Sequence, residues 1–397
     1  MFPVAGFFVA ASLGSWTWAW AEAAALPPWD WRTAFRAPYS LILLASALVP
    51  VAWAAGMFFE SRVIKGRRVA CAAIATLLAL ATIDTAFRIP VVRQPFLFGV
   101  WKRTTSWFMR DVLPLLTHVP SPDGFRGKPV VTFAGSSQLV FGIDYDVVRS
   151  ALPDAEVRRR AIAGMFPMRI YSVWPLLDVG KGDTLVLYLS DFDMMWPEGV
   201  VGNWHRSMAT WRGSMNLCST LSGKQIVEDW RDVTDVFAAS TSSLWSQRDN
   251  VRELCFGYFA RWGNTDRLAA QPPTVLDESP AASARYYDAH KLALTRMLEL
   301  ASEAGARVII IEGRVNPAYE SEKDVARRTM VAEDLSRISS DKGAEFIARS
   351  EQDWEDPLND WADSVHLNER GKERLSRFVA GLLQKRVPRG PSSGGEG

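Results

Sequence analysis

The feature that most constrains this 397-residue chain is the uneven distribution of its apolar residues. Residues 2–20, 37–59 and 69–83 contain no Asp, Glu, Lys or Arg, whereas polar and apolar residues alternate after Lys128. A helix needs about 20 apolar residues to cross a bilayer, so the first two runs are long enough and the third is short unless it continues to Phe87. The sequence therefore predicts a transmembrane region of about three helices over residues 1–90.

The loop between the second and third runs predicts the orientation of these helices. It spans residues 60–68 and carries four cationic side chains, Arg62, Lys65, Arg67 and Arg68. Because such loops stay in the cytoplasm, the third helix is expected to run outward. We therefore expect a multi-pass protein of the cell (inner or cytoplasmic) membrane whose remaining chain is periplasmic or extracellular. Residues 2–20 are alternatively a cleaved signal peptide, although they lack a positively charged start and further apolar segments follow.

Residues 91–128 are predicted to be a juxtamembrane segment and linker. Residues 95–116 mix aromatic and cationic side chains, which is typical of a segment at the lipid headgroups or of an ordinary helix packed on the next domain. Residues 118–128 contain two prolines and two glycines and read as a linker. The whole chain has 45 Lys and Arg against 44 Asp and Glu, so we expect no nucleic-acid partner.

Strand and helix patterns alternate from residue 129 to residue 385. Apolar runs at 130–133, 184–189 and 308–311 predict strands, weaker strands are expected near Val157 and Phe346, and helices are predicted at 286–304 and 369–383. This alternation indicates an α/β domain, in which a small parallel sheet is flanked by helices on both faces. Residues 386–397 are rich in Gly, Ser and Pro and are expected to form a disordered tail.

Residues 196–280 interrupt the alternation and are predicted to be a helical insertion. The insertion contains six tryptophans, most of which we expect to pack in the interior rather than to form a binding surface. It also contains Cys218 and Cys255. The sequence leaves open whether these two thiols are bridged or free.

A candidate nucleophile follows the first predicted strand. The apolar run at 130–133 leads into Gly135, Ser136 and Ser137, just before a turn and a helix. At the carboxyl end of a strand, a side chain projects into the crevice where open α/β sheets bind ligands, and the next helix presents amides to a developing oxyanion. Taken alone the signal is weak, because Gly-Ser-Ser is also common in turns.

A candidate base lies at the other end of the domain, just before the last helix. His366 follows Asp363 by three residues and is one of four histidines in the chain. A serine hydroxyl needs a base to accept its proton, and that base needs a carboxylate that fixes its tautomer. In a tight turn Asp363 can reach one ring nitrogen of His366 while the other faces Ser137. The structural alternative is that Ser137 caps a helix and that Asp363 and His366 only stabilise a turn.

Together these two blocks resemble the SGNH, or GDSL-like, hydrolase family, whose first block supplies the serine and whose last block, Asp-x-x-His, supplies the relay. The resemblance implies a three-layer, flavodoxin-like fold, with Ser137 as nucleophile and Asp363 and His366 as its partners. It places the glycine of the second block, an oxyanion donor through its amide, at Gly164.

The third block departs from the family pattern. The family has Gly-x-Asn-Asp after a central strand, whereas this chain has Ser190 and Asp191 in that region, so the asparagine that donates to the oxyanion is missing. An ionised Asp191 only accepts hydrogen bonds, but Ser190 can donate through its hydroxyl. We therefore assign Gly164, Ser190 and Asp191 to oxyanion or substrate binding and expect slow hydrolysis.

The resemblance also implies a function. In layout the chain is similar to membrane-tethered members that work beside membrane-bound O-acyltransferases in polysaccharide O-acetylation and teichoic-acid D-alanylation. It implies a serine O-acyltransferase that passes an acyl group, most simply acetyl, to an exported polysaccharide. The acyltransferase partner is a separate membrane protein, because three spans are too few for an acyl-CoA channel. The alternatives are an acyl-esterase of envelope glycans or lipids and a non-catalytic polysaccharide-binding scaffold. We expect no metal and no cofactor, because His366 has no second His or Cys at ligand spacing.

Overall fold

The structure, a computed structural model, describes residues 78–79, 81–84, 115, 128–196, 205–248, 285–319, 322–352 and 358–387. The chain divides into two units, Met1–Thr105 with Thr241–Ala260, and Ser106–Ser240 with Arg261–Gly397. Within the described ranges, no helix combines the length and the apolar character needed to cross a bilayer. The first two predicted spans, most of the third, most of residues 91–128 and the tail after Val387 lie outside the described residues.

The second unit contains a five-stranded sheet in which every neighbouring pair of strands is parallel, in the order β2-β1-β3-β4-β5. The strands are β1 (Val130–Gly135), β2 (Glu156–Arg159), β3 (Thr184–Leu189), β4 (Arg307–Glu312) and β5 (Glu345–Ile347). All residues of β1 and β3 are buried, which explains their continuous apolar sequences, because a parallel sheet is covered on both faces. The predicted α/β class and all five predicted strands are confirmed.

The described helices number twelve, apart from short 3-10 turns and residues 78–84. They are α1 (Ser137–Gly142), α2 (Tyr145–Ala151), α3 (Pro167–Ser172), α4 (Trp174–Leu177), α5 (Asp191–Met194), α6 (Trp211–Thr220), α7 (Gly223–Glu228), α8 (Trp230–Thr241), α9 (Ser243–Ser246), α10 (Tyr287–Glu303), α11 (Glu322–Asp341) and α12 (Glu369–Arg386). Helix α12 packs against α1 and α2, whereas α10 packs against α3 and α11. Because connections between parallel strands are almost always right-handed, these two groups are expected on opposite faces of the sheet.

The last helix buries one stripe against the sheet. Leu375, Val379 and Leu383 recur every four residues, which puts them on one face of α12, and each is at most 1% exposed. They pack with Phe133 and Tyr188, whose side chains are on the same face of β1 and β3. Full burial of a side chain of this size stabilises the fold by about 1.5–3 kcal/mol. This stripe fixes the position of the loop that precedes α12.

The described part of residues 196–280 contains helices α6 to α9. Trp211, Trp230 and Trp245 are 58%, 57% and 46% exposed, so the expectation that most of the tryptophans are packed is wrong for these three. Trp204 and Trp262 lie outside the described residues. Cys218 is a free thiol in α6. In the first unit, the hydroxyl of Ser242 donates to Asp84 at 2.6 Å.

The strand order locates the crevice of the sheet. The chain passes from β1 to β2 in one direction and from β3 through β4 to β5 in the other, so the direction reverses between β1 and β3. In open α/β sheets, ligands bind outside the carboxyl ends of the strands at such a switch point. Ser137 follows β1 and Ser190 follows β3, so both lie beside this crevice.

Candidate active site

Ser137 is the first residue of α1, directly after the turn that ends β1. Ser136 is the N-cap of this helix, and its side chain accepts a weak hydrogen bond from the amide of Gln138 at 3.4 Å. A side chain at Gly135, the last residue of β1, would be crowded, because an added Cβ would lie 3.2 Å from Leu139 and 3.3 Å from the carbonyl oxygen of Tyr188. Ser136 is only 1% exposed, whereas Ser137 is half-buried. Of the two serines, Ser137 is therefore the one that a substrate can reach.

His366 and Asp363 lie next to Ser137 and form a continuous hydrogen-bonded chain with it. Nε2 of His366 is 2.9 Å from Oγ of Ser137, and Nδ1 is 2.7 Å from Oδ2 of Asp363. A carboxylate can only accept, so Nδ1 carries the proton and Nε2 is left to accept from the hydroxyl. Oδ1 of Asp363 accepts from the amides of Val365 and His366 at 2.8 and 2.7 Å. This is the arrangement in which a histidine activates a serine.

Electrostatics keep Asp363 ionised. Burial is the largest single influence and raises its pKa, but hydrogen bonds from the His366 ring and from the Val365 amide together outweigh it and hold the pKa below its usual value. The negative charge is thus present at neutral pH. It faces Nδ1 of His366 at 2.7 Å, a position from which a carboxylate can stabilise an imidazolium.

The turn that carries Asp363 and His366 is held from two sides. On the β4 side, the backbone N–H of Asn316 donates to the Ser364 carbonyl at 2.9 Å, and the side-chain Nδ2 of Asn316 donates to the Asp363 carbonyl at 3.1 Å. On the α12 side, the Asn368 side chain caps the helix by accepting from two backbone amides. The ring of Phe141 meets His366 edge-on at 5.3 Å. These contacts restrict the orientation of the imidazole.

Gly164 follows β2, the other neighbour of β1, in a turn that requires glycine. Its φ is +73°, a left-handed conformation that is costly for residues with a side chain. Nη1 of Arg169 donates to its carbonyl oxygen at 2.8 Å and thereby fixes the turn. Neither the Gly164 amide nor the Ser137 amide donates a hydrogen bond to any residue that the structure describes. Both N–H groups thus remain available to an oxyanion.

The geometry contradicts the predicted roles of Ser190 and Asp191. Ser190 is 1% exposed, and its hydroxyl lies 2.7 Å from Oε1 of Gln138 and 3.0 Å from Oδ2 of Asp193. Both of those atoms are acceptors, so its single hydrogen is used inside this network. Asp191 is 3% exposed, and its Oδ2 is 2.9 Å from both Nε and Nη2 of Arg327. Neither side chain is therefore an oxyanion donor.

Three residues near the site have contacts that the sequence did not reveal: Gln138, Asp193 and Asn316. Asp193 is fully buried, and burial raises its pKa to about 6, although hydrogen bonds from Ser136 and Ser190 lower it in part. Asn316 had a usable signal, because it is a polar residue just beyond a strong strand. Gln138 and Asp193 gave none, since a glutamine or aspartate in the first turn of a helix is common on the surface.

An aromatic cluster of Phe166, Phe192 and Trp196 lies beyond the two strands that flank β1. The ring centroids of Phe192 and Trp196 are 4.5 Å apart, and Phe166 stacks on Trp196 at 5.2 Å. Phe166 follows β2 and is buried, whereas Phe192 and Trp196 follow β3 and are partly exposed. Because β2 and β3 are the neighbours of β1, this cluster forms an apolar wall at the carboxyl end of the sheet.

Comparisons with known proteins leave the family of the chain open. No protein-family model and no curated protein sequence matches it. Among solved structures, a catalytic mutant of the acetylxylan esterase Axe2 from Geobacillus stearothermophilus aligns at 10% identity and a TM-score of 0.36, over 66% of this chain and 97% of that one. Protein YxiM from Bacillus subtilis aligns at 11% identity and a TM-score of 0.34, over 66% of this chain but only 58% of that one. Both TM-scores are too low to support an argument about this chain.

Proposed function

We propose that this protein is a serine acyl-ester enzyme that works through an acyl-serine intermediate on Ser137. The observation that carries the proposal is the unbroken chain of hydrogen bonds from Asp363 through His366 to Ser137, at 2.7 and 2.9 Å. Ser137, the accessible serine at the end of these hydrogen bonds, lies at the switch point of the sheet, where a ligand is expected. A serine that only begins or caps a helix does not require a histidine oriented by a carboxylate, whereas a serine nucleophile does.

The first half of the reaction forms the acyl-serine. His366 takes the hydroxyl proton on Nε2 while Oγ of Ser137 attacks the ester carbonyl, and the amides of Ser137 and Gly164 stabilise the resulting oxyanion. The tetrahedral intermediate then collapses. The bond to the leaving alcohol breaks, and that alcohol takes the proton from Nε2.

The second half releases the acyl group. The acceptor, water or another alcohol, gives its proton to Nε2 and attacks the acyl carbonyl through a second oxyanion. The Ser137 Oγ bond then breaks, and the serine regains a proton from His366. Hydrolysis and transfer differ only in the acceptor.

We further propose that the acceptor is a sugar hydroxyl of an exported polysaccharide and that the acyl group is acetyl. Ser190 and Asp191 make internal contacts, so neither of them supplies the third oxyanion donor of the resembled family, and no other described residue takes that place in the sequence block after β3. One missing donor costs about 3 kcal/mol of transition-state stabilisation, which would slow attack by water. An acyl-serine that hydrolyses slowly survives until a positioned acceptor arrives. The partly exposed rings of Phe192 and Trp196, which pack on the buried Phe166, offer an apolar surface for a sugar ring.

In this proposal the chain is anchored in the cytoplasmic membrane with its sheet domain outside. A membrane-bound O-acyltransferase, as a separate protein, would deliver the acyl group. The support is the apolar character of residues 2–20 and 37–59 together with the cationic loop 60–68.

The nucleophile is tested with a fluorophosphonate probe on the full-length protein in detergent. We expect labelling of the wild type, loss of labelling in Ser137→Ala, and retained labelling in the matched neighbour Ser136→Ala. A labelled Ser137→Ala variant would contradict the assignment. An unlabelled but folded wild type would favour the non-catalytic scaffold.

Transfer and hydrolysis are separated with a small acetyl ester as donor. We expect slow acetate release in water, and faster loss of the donor together with acetylated product when suitable oligosaccharides are added. Product is detected by mass spectrometry, and Ser137→Ala is the control. Rapid deacetylation of an acetylated glycan, with no acetylated product from any donor, would establish the esterase alternative instead.

A further inference from the structure

Gln138, the residue after the proposed nucleophile, makes contacts that neither half of the reaction uses. It is 3% exposed, and its carboxamide lies among groups from three other segments of the chain. Nε2 is 3.0 Å from the carbonyl oxygen of Arg314 and 3.2 Å from that of Val365, and Oε1 is 2.7 Å from the hydroxyl of Ser190. One side chain thus links the loops after β1, β3 and β4 to the loop that carries the base.

These partners determine the orientation of the carboxamide. Two of them are carbonyl oxygens, which can only accept, so they must face the two hydrogens of Nε2. The third is a hydroxyl, which can donate to Oε1. All the hydrogen atoms of the carboxamide are therefore used, and it has none to give to a substrate. Gln138 is buried and fully bonded, which excludes it as an oxyanion donor.

The connection to Val365 matters most, because Val365 is the neighbour of His366. Gln138 and Ser137 are adjacent in the chain, as are Val365 and His366. The Nε2 bond to the Val365 carbonyl therefore joins the residue after the nucleophile to the residue before the base, across 227 positions of sequence. The Ser137–His366 bond itself spans 229 positions. Both bonds therefore hold the segment that follows β1 against the loop that precedes α12.

We infer that Gln138 is a positioning residue, whose carboxamide holds the Ser137 turn and the His366 loop at hydrogen-bonding distance. The inference rests on the proposed serine chemistry and deepens it. Gln138 acts through Val365 and Ser190 and touches no reacting atom. A displacement of about 1 Å between reacting groups can cost about 10²-fold in rate. Loss of this link should therefore lower kcat much more than it raises KM.

Two variants of Gln138 separate its donor and acceptor roles. Gln138→Glu keeps the size and can still accept from Ser190, but it loses both hydrogens and places a carboxylate against two carbonyl oxygens. Gln138→Leu loses every polar contact. We expect both to reduce kcat for a small acetyl ester by about 10²-fold, with KM within about twofold, and to slow fluorophosphonate labelling in parallel.

The matched control is Gln352→Leu. Gln352 is also buried, its Nε2 donates to the Glu312 carbonyl at 2.8 Å, and its Oε1 accepts from Nε of Arg314 at 2.8 Å. Like Gln138 it donates to a carbonyl and accepts through Oε1, but it contacts the guanidinium of Arg314 rather than the carbonyl that Gln138 binds, and among the described residues it contacts neither Ser137 nor the His366 loop. We expect Gln352→Leu to lower the melting temperature, as Gln138→Leu does, while kcat and the labelling rate stay near those of wild type.

If Gln138→Leu and Gln138→Glu do not fold, Ser190→Ala provides the second test. It removes the group that fixes Oε1 of Gln138, so we expect a several-fold loss of kcat in the same direction. Folded Gln138 variants with wild-type kcat and labelling rates, or an unchanged kcat in Ser190→Ala, would overturn the inference. The proposed function fails separately, when the wild type itself is not labelled at Ser137.

Discussion

Replacement of Asp363 by asparagine tests the relay most directly. In Asp363→Asn, the side-chain oxygen can still accept from the amides of Val365 and His366, which now lie 2.8 and 2.7 Å from Oδ1. The new NH2 group then occupies the position of Oδ2, 2.7 Å from Nδ1 of His366. Two donors cannot share that contact, so His366 must shift its proton to Nε2, the nitrogen that has to accept from Ser137.

The expected loss of activity is large and the expected loss of stability is small. The corresponding change in a serine-protease triad lowers kcat by about 10⁴-fold, which corresponds to about 5–6 kcal/mol of barrier. Two charge-assisted hydrogen bonds to amides become neutral ones, a difference of about 1 kcal/mol each at most. Because the Asp363 side chain is 40% exposed, solvent screening should reduce the total to about 1 kcal/mol.

The pH dependence supplies an internal check. The pKa of Asp363 is lowered in the folded protein, so its contribution to stability is present above the unfolded pKa and is lost as the pH falls through the folded pKa. The stability gap between wild type and Asp363→Asn should therefore close in acid. It is measured by urea unfolding at several pH values.

The assay is the rate of acetyl-ester turnover together with fluorophosphonate labelling. Asp144→Asn is the matched control, because Asp144 caps α2 by accepting from the Asp146 amide at 2.9 Å and has no contact with the relay. Because asparagine caps a helix about as well as aspartate, we expect that control to retain both its stability and its activity. A folded Asp363→Asn variant that retains more than about a tenth of wild-type kcat would refute the reasoning about the tautomer.

Three further predictions concern the fold, a buried acid and the topology. Gly371→Ala should destabilise the protein by about 1–3 kcal/mol, because the added Cβ would lie 2.3 Å from a backbone oxygen. Gly381→Ala in the same helix meets nothing within 4 Å and should stabilise the protein by up to about 1 kcal/mol. Urea unfolding compares the two variants. Burial raises the pKa of the Asp193 carboxyl to about 6. The free energy of unfolding of the wild type should therefore fall as the pH rises from about 4 to about 6, and that of Asp193→Asn should not show this fall in the same assay. A phosphatase fused after Lys128 should be active in a bacterial host and one fused at Gly66 inactive, and the reverse activities would place the sheet domain in the cytoplasm.

The sequence alone was sufficient to predict the sheet and the proximity of Ser137, Asp363 and His366. Continuous apolar runs such as that of β3 predict strands buried on both faces, and the alternation with helices then predicts a parallel sheet. All carboxyl ends of parallel strands meet at one edge, so Ser137 after β1 and His366 beyond β5 were predictable neighbours. The Asp-x-x-His spacing is local and needs only a tight turn, which is why Asp363 was identified with its histidine.

The tertiary structure decided which polar side chains remain available at that edge. Ser190 and Asp191 look like substrate contacts in the sequence, but partners from distant segments use them. Ser190 donates across 52 positions to Gln138, and Asp191 is paired across 136 positions with Arg327. The physical reason is that a strand's position is determined by its own apolar pattern, whereas a hydrogen-bond partner is determined by whichever group the packing of the helices brings within about 3 Å. Helix packing likewise determined the partners on which the inferred role of Gln138 rests. Nothing in the local sequence distinguishes Gln138 from a surface glutamine.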